Sequence, residues 1–221
     1  GGWEQGSGAV FGGDVWQREV HVINPLWKDD NIPNDVTKFR VIDYGSAKGI
    51  NCCAWFAVCK DGYAVLYRLI YSRDLEIADF VPKIISMSHN TREFLHEAKD
   101  HRTGNTYEYY IEQQSGETFW YTVLDSRSCA QSQQGSTLEG IFSRYGLSVT
   151  PGCGQTDSVQ IPRLKDWLRI DFDKTNPFTK DKGMPRLFFF DTPNCVPAIR
   201  EIEGARLPAR VSDTGYIDKR D

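Results

Sequence analysis

Apolar and polar positions are ordered most sharply between residues 39 and 87. "FRVIDY" (Phe39 to Tyr44) reads as a strand whose last residues are polar. "NCCAWFAVCKDGYAVLYRLIYS" reads as two long strands joined at Lys60-Asp61-Gly62-Tyr63, with Asp-Gly in the turn position a hairpin prefers. In "RDLEIADFVPKIISMS" the pattern changes period. Ile77, Phe80, Val81, Ile84 and Ile85 recur at helical spacing, and Pro82 marks a kink or a second helix start. Residues 1–37 carry Gly and Pro punctuation without sustained periodicity, with "VHVIN" as one short strand. They are expected to form an arm packed on the edge of a domain that spans 38–221.

Residues 88–118 are polar, charged and rich in turn formers, and read as an insertion: a helical turn, then a small hairpin around Thr103-Gly104-Asn105. Strand character returns in "ETFWYTVLD", ending on Asp125. Ser136-Thr137-Leu138-Glu139 is a capping box for a helix to Tyr145, stopped by Gly146. "LSVTPG" predicts a short strand, "SVQIPRLKDWLRIDF" a helix and "RLFFFD" a strand. "TPNCVPAIREIEGARL" predicts a helix with Pro193 near its first turn. The order βββ-α-β-α-β-α-β-α predicts an α/β protein with a mixed sheet: three antiparallel strands, then alternating helices and parallel strands.

Composition narrows the class. Of 221 residues, 40% are hydrophobic and 13% aromatic, enough for a real core. No apolar run approaches the roughly 20 residues of a membrane span, and no signal peptide is present. The net charge of −4 argues against coating nucleic acid by bulk charge, though a local basic groove beside acidic residues remains compatible with it. The six cysteines (Cys52, Cys53, Cys59, Cys129, Cys153, Cys195) have no CxxC spacing and are expected to be reduced core or near-core residues of a cytoplasmic protein. His89, His96 and His101 lie seven and five residues apart, which does not make a one-face helical ligand set. They read as part of a solvated loop.

Two carboxylates carry the candidate chemistry. Asp43 ends the first central strand and Asp125 ends the first strand after the crossover helix. A mixed sheet of this order can place those strands side by side. Taken singly, each aspartate reads as a strand terminator that caps the next turn. Taken together they are like charges at one edge, an arrangement that suits an intervening Mg²⁺ or Mn²⁺. Two such ions about 4 Å apart activate water and stabilise a leaving oxygen in phosphodiester hydrolysis. Lys48, Arg127 and Ser128, in the loops after the two strands, are candidate phosphate contacts. Arg163, Lys165 and Arg169 read as an ordinary exposed helix face. Trp55, Trp120, Trp167 and Phe188 to Phe190 read as core.

The segment "GAVFGGDVWQREVHVINPLW…FRVIDYGSAKGINCCAWFAVCKDGYAVLYRLIYS" resembles the nuclease domain of the large terminase subunit of tailed bacteriophages. The matching features are "HVINPLW" before the first strand, Asp43-Tyr44-Gly45 at its end, Asp125 in "VLDSRS", the "IPRLKDWL" helix and the closing "CVPAIREI". The resemblance runs from about residue 8 through nearly the whole chain, and rests on order and spacing more than on any one motif. It implies an RNase H-like fold and an endonuclease with two Mg²⁺ or Mn²⁺ ions that cuts double-stranded DNA with little sequence specificity. It also implies an N-terminal ATPase motor, partners in the portal and the small terminase subunit, and work in the host bacterial cytoplasm. Asp43 and Asp125 match the family's first two metal ligands.

Three departures accompany the resemblance. Arg68-Leu69 stands where the family commonly has Arg-Glu. The insertion at 88–118 lengthens the gap between the first two acids. The late Asp-His-x-x-Asp motif is absent before Asp221, so the third acid is expected from Asp213, with Asp218 and Asp221 as substitutes, or from beyond Asp221. There is no G-x-x-x-x-G-K-[ST] phosphate loop, and "GGWEQGSG" reads as the linker end of the motor. Two other classes stay open: another RNase H-like enzyme such as a recombinase or resolvase, and a catalytically incomplete DNA-docking module.

Overall fold

A computed structural model describes residues 9–27, 32–33, 35–45, 49–88, 92–99, 106–112, 116–126, 129, 132–133, 136–154 and 157–206. The elements run in chain order as α1 (Arg18–His21), β1 (Val22–Ile23), β2 (Thr37–Tyr44), β3 (Ile50–Val58), β4 (Ala64–Arg73), α2 (Ile77–Met87), β5 (Arg92–Lys99) and β6 (Thr106–Glu112). Then come β7 (Tyr121–Leu124), β8 (Ser132–Gln133), β9 (Ser136–Thr137), α3 (Leu138–Arg144), β10 (Thr150–Pro151), α4 (Asp157–Leu168), β11 (Asp171–Thr175), β12 (Lys182–Met184), β13 (Leu187–Phe190) and α5 (Val196–Gly204). Seven strands form one sheet in the order β1-β13-β4-β3-β2-β7-β10. Only β3 runs against the rest. The predicted βββ-α-β-α-β-α-β-α order is therefore present, as a mixed α/β sheet flanked by helices.

Burial along each strand reflects its place in the sheet. β4 sits between β3 and β13, and Ala64 through Ile70 are all buried, as a strand covered on both faces requires. β2 instead alternates: Lys38, Arg40, Ile42 and Tyr44 are buried, whereas Val41 and Asp43 are exposed. The covered face of β2 meets α2 and α3. Tyr44 packs on Phe80 of α2 and Phe142 of α3, with ring centroids 5.8 and 6.1 Å away. Burying residues of this size stabilises the domain by roughly 1.5–3 kcal/mol each. Phe142→Ala would cost about 3–5 kcal/mol, because its neighbours are rings that cannot close over the gap.

The β3–β4 turn is closed by Gly62 N–H donating to the Cys59 carbonyl (3.0 Å) and Cys59 N–H to Tyr63 (2.8 Å). Gly62 has φ +82, which explains the glycine there. α3 ends in a Schellman arrangement, with Leu147 N–H donating to Phe142 and Gly146 N–H to Ser143.

Several expectations are corrected. Within the insertion the described residues form two strands, β5 paired antiparallel to β6, while residues 89–91 and the Thr103-Gly104-Asn105 turn lie outside the described residues. α4 stops at Leu168, and "DFDKT" leaves it as β11, which pairs with β12. The cap of α3 is Thr137, whose side chain accepts from Gly140 N–H, one residue later than the Ser136 box. The proline of α5's first turn is Pro197 and not Pro193. Trp120, expected in the core, is 66% exposed, because it precedes β7 beside the less covered face. All six cysteines are free, with Cys53 and Cys195 buried and Cys153 exposed.

Candidate active site

β2 and β7 are parallel neighbours in the register Phe39↔Tyr121, Arg40↔Thr122, Val41↔Val123, Ile42↔Leu124. The Asp125 N–H donates to the Ile42 carbonyl at 2.9 Å, carrying the ladder one step beyond the strand. Asp43 and Asp125 therefore stand level on adjacent strands spaced about 4.8 Å apart. Both follow the alternation that puts Phe39, Val41 and Tyr121 on the less covered face. Asp43 is exposed and Asp125 half-buried. The sequence pairing of these two residues is thus the pairing the sheet makes.

Topology adds to their placement. After β2 the chain builds β3 and β4 on one side, then crosses α2 and the insertion to add β7 on the other. The carboxyl ends of β2 and β7 thus flank the point where the strand order reverses, the position at which open α/β sheets bind ligands.

The surroundings are tight. A Cβ on Gly45 would lie 3.1 Å from the Ile50 carbonyl oxygen. Gly152 N–H donates to the Leu124 carbonyl at 2.7 Å, which brings the loop after β10 against the same edge. In that loop Gly154 has φ +61, and a Cβ there would meet Ser126 Oγ at 3.0 Å. Neighbouring thiols feel the carboxylates. Cys52, the Cα partner of Asp43, is pushed up to about 12 by burial and by the Asp43 charge. Burial also raises the Cys129 thiol, with Glu139 and then Asp125 adding to it. Those thiols stay protonated near neutrality and are poor nucleophiles.

Glu139, a capping residue by its sequence pattern, also acts with Asp125 on the Cys129 thiol from the first turn of α3. Its place on the helix that follows the Asp125 strand was the available signal. Lys48, Arg127, Ser128, Asp213, Asp218 and Asp221 lie outside the described residues. Among the described residues, no group of three or more His, Cys, Asp or Glu side chains is placed to hold a metal ion. Two carboxylates at an open edge still match a hard divalent ion that keeps several waters and binds through one or two carboxylates plus substrate phosphates.

A cavity of about 760 Å³ lies elsewhere. It is lined by Asp61, Arg169, Phe172 and Arg186, where β4 and β13 begin, whereas the aspartates stand where β2 and β7 end.

A second polar centre is buried on the covered face. Glu117 accepts from Arg68 Nη1 at 2.6 Å and from Tyr67 Oη at 2.5 Å. Successive strand residues both reach it because the β3–β4 register shifts between Trp55 and Phe56. Arg40 donates to Thr122 Oγ1 (2.9 Å) and Ser88 Oγ (3.0 Å), and Trp55 Nε1 also donates to Ser88 Oγ. Glu117 N–H donates to the Ser88 carbonyl at 3.2 Å, so both ends of the insertion are clamped to this cluster. The segment from Glu117 then leads directly into β7 and Asp125. No helix among the described residues is long and apolar enough to cross a membrane. Compared with protein-family models, with curated proteins and with solved structures, the chain matches none.

Proposed function

We propose that the protein is a divalent-metal-dependent endonuclease that cuts double-stranded DNA with little sequence specificity, as in the trimming of packaged phage genomes. The observation that carries this reading is the level placement of Asp43 and Asp125 at the strand-order switch, through the 2.9 Å Asp125 N–H to Ile42 carbonyl bond. The sequence resemblance to terminase nuclease domains supports it, and the mixed sheet is compatible with an RNase H-like fold.

Asp43 and Asp125 would hold Mg²⁺ or Mn²⁺, with Asp213 or an acid beyond Asp221 as third ligand. When bound, the ions supply activation of water and stabilisation of charge on the scissile phosphate. The chain's own part is to fix two carboxylates on rigid strand ends, so that little reorganisation accompanies the reaction. Lys48, Arg127 and Ser128, which follow those strands in the sequence, would grip backbone phosphates, which bind without reading sequence. The resemblance extends the proposal to a motor domain, portal and small terminase subunit as partners in the host bacterial cytoplasm.

A plasmid-nicking assay tests the reading. The wild-type chain should nick with Mn²⁺, and EDTA or Asp43→Ala should abolish nicking. Cleavage that survives either treatment rules out the two-metal reading. A second reading is a DNA-docking module. It requires DNA binding without cleavage in every metal.

A further inference from the structure

His21 is fully buried at the end of α1, where residues 9–27 meet the rest of the molecule. Its Nε2 lies 2.7 Å from the Leu168 carbonyl at the end of α4. Its Nδ1 lies 3.2 Å from the Gln17 N–H and 2.8 Å from the Gln17 carbonyl. That carbonyl already accepts the N–H groups of Val20 and His21. The neutral tautomer therefore fits, with Nε2–H donating across to Leu168 and Nδ1 accepting from Gln17. Trp16 covers the imidazole at 4.6 Å and packs edge-on against Phe189 of β13 at 5.3 Å.

The segment is also held by main-chain bonds, by one surface pair, by Asn176 Nδ2 donating to the Val20 carbonyl (3.5 Å), and by Val10, Phe11, Val15, Trp16 and Ile23 packed in the core. β1 pairs with β13, Ile170 N–H donates to Asp14, and Val10 N–H donates to Ala205. Arg18 meets Glu203 at 3.0 Å, with the arginine side chain half exposed. His21 is thus the buried, titratable member of the joint.

We propose that His21 is a proton-operated latch, and that its protonation releases residues 9–27 from the sheet and uncovers the edge of β13. An imidazolium would carry two donors, yet the Gln17 oxygen is already shared, and the charge would sit beneath Trp16 away from water. Burial holds the ring below its ordinary value, against the opposing pull of the Gln17, Leu168 and Val15 backbone groups and the Glu19 charge, which favour the imidazolium. Glu19 and Arg18 lie on its own helix. α4 faces it with the Leu168 carbonyl, β13 contributes Phe189, and the charged residues flanking these contacts, Asp14 and Arg169, are exposed. Release frees the backbone groups of Phe189 and Phe190, an edge able to accept another strand.

Amide exchange on the full chain tests this, with rates corrected for intrinsic pH dependence. Exchange in 9–27 should quicken by up to about tenfold per pH unit below about pH 6.5, the limit for one proton. β3 should not follow, and His21→Gln, which keeps a donor toward Leu168 without a titrating group, should flatten the response. If His21→Gln does not fold, NMR titration of the wild-type ring decides. A value below 6.5 that tracks the exchange midpoint supports the latch. A ring titrating at or above 6.5, a pH-independent segment, or a response preserved in His21→Gln overturns it.

Discussion

Glu117 and the Asp43–Asp125 pair show two opposite uses of a carboxylate in one sheet. Glu117 is buried, and the Arg68 guanidinium and the Tyr67 hydroxyl are built against it. Asp43 and Asp125 are like charges placed level at an open strand end, one exposed and one half-buried. The first arrangement satisfies a charge so that a fold can close around it. The second brings charges together where they repel, which costs energy unless a cation joins them. Packing explains Glu117, and on the proposed reading a divalent ion would account for the aspartate pair.

The comparison can be broken at its structural half first. Glu117→Ala leaves the Arg68 charge buried without the carboxylate built against it, and should lower unfolding stability by about 3–5 kcal/mol in a denaturant titration. At the functional half, Asp125→Asn should leave the denaturation midpoint nearly unchanged while slowing Mn²⁺-dependent plasmid cleavage at least about a hundredfold, about 2.7 kcal/mol on the barrier. A large stability loss in Asp125→Asn would make the aspartate a structural residue like Glu117.

Smaller effects sharpen the picture. Gly154→Ala places a Cβ at φ +61 and 3.0 Å from Ser126 Oγ, and should cost roughly 1–2 kcal/mol of local stability. It should also shift the residues after Asp125, seen as chemical-shift changes there and not in β4. The smallest effect is on pH dependence. The folded pKa of His21 is lowered, so the unfolded chain binds the extra proton more readily. Its contribution is complete above about pH 6.5 and is lost as pH falls, with a slope of at most about 1.4 kcal/mol per pH unit. Denaturation midpoints at pH 7.5 and 5.5, with His21→Gln as reference, measure it.

What could be read from sequence follows from how local each signal is. Strands β2, β3 and β4 and helix α2 are legible from apolar runs bounded by turn residues or from helical spacing, because their neighbours in sequence share their environment. Asp43 and Asp125 were visible as polar residues ending apolar runs. The Glu117 cluster was not visible. It depends on a register shift that turns Tyr67 and Arg68 to one side, and on a partner about 50 residues away. The helical spacing of the residues before them carries Asp171 and Phe172 into the predicted helix, and β11, mostly exposed, has no apolar period of its own to mark a strand. Trp120 was placed in the core because its ring is large and apolar, while its exposure is decided by which face of the sheet the helices cover.

Titration calorimetry of Mn²⁺ into the wild-type chain, Asp43→Asn and Asp125→Asn is the most direct test of the aspartate pair as one divalent-ion site. The account predicts that the wild-type chain binds and that either substitution weakens binding at least about tenfold, with both proteins folded. Wild-type affinity retained in Asp43→Asn would contradict it.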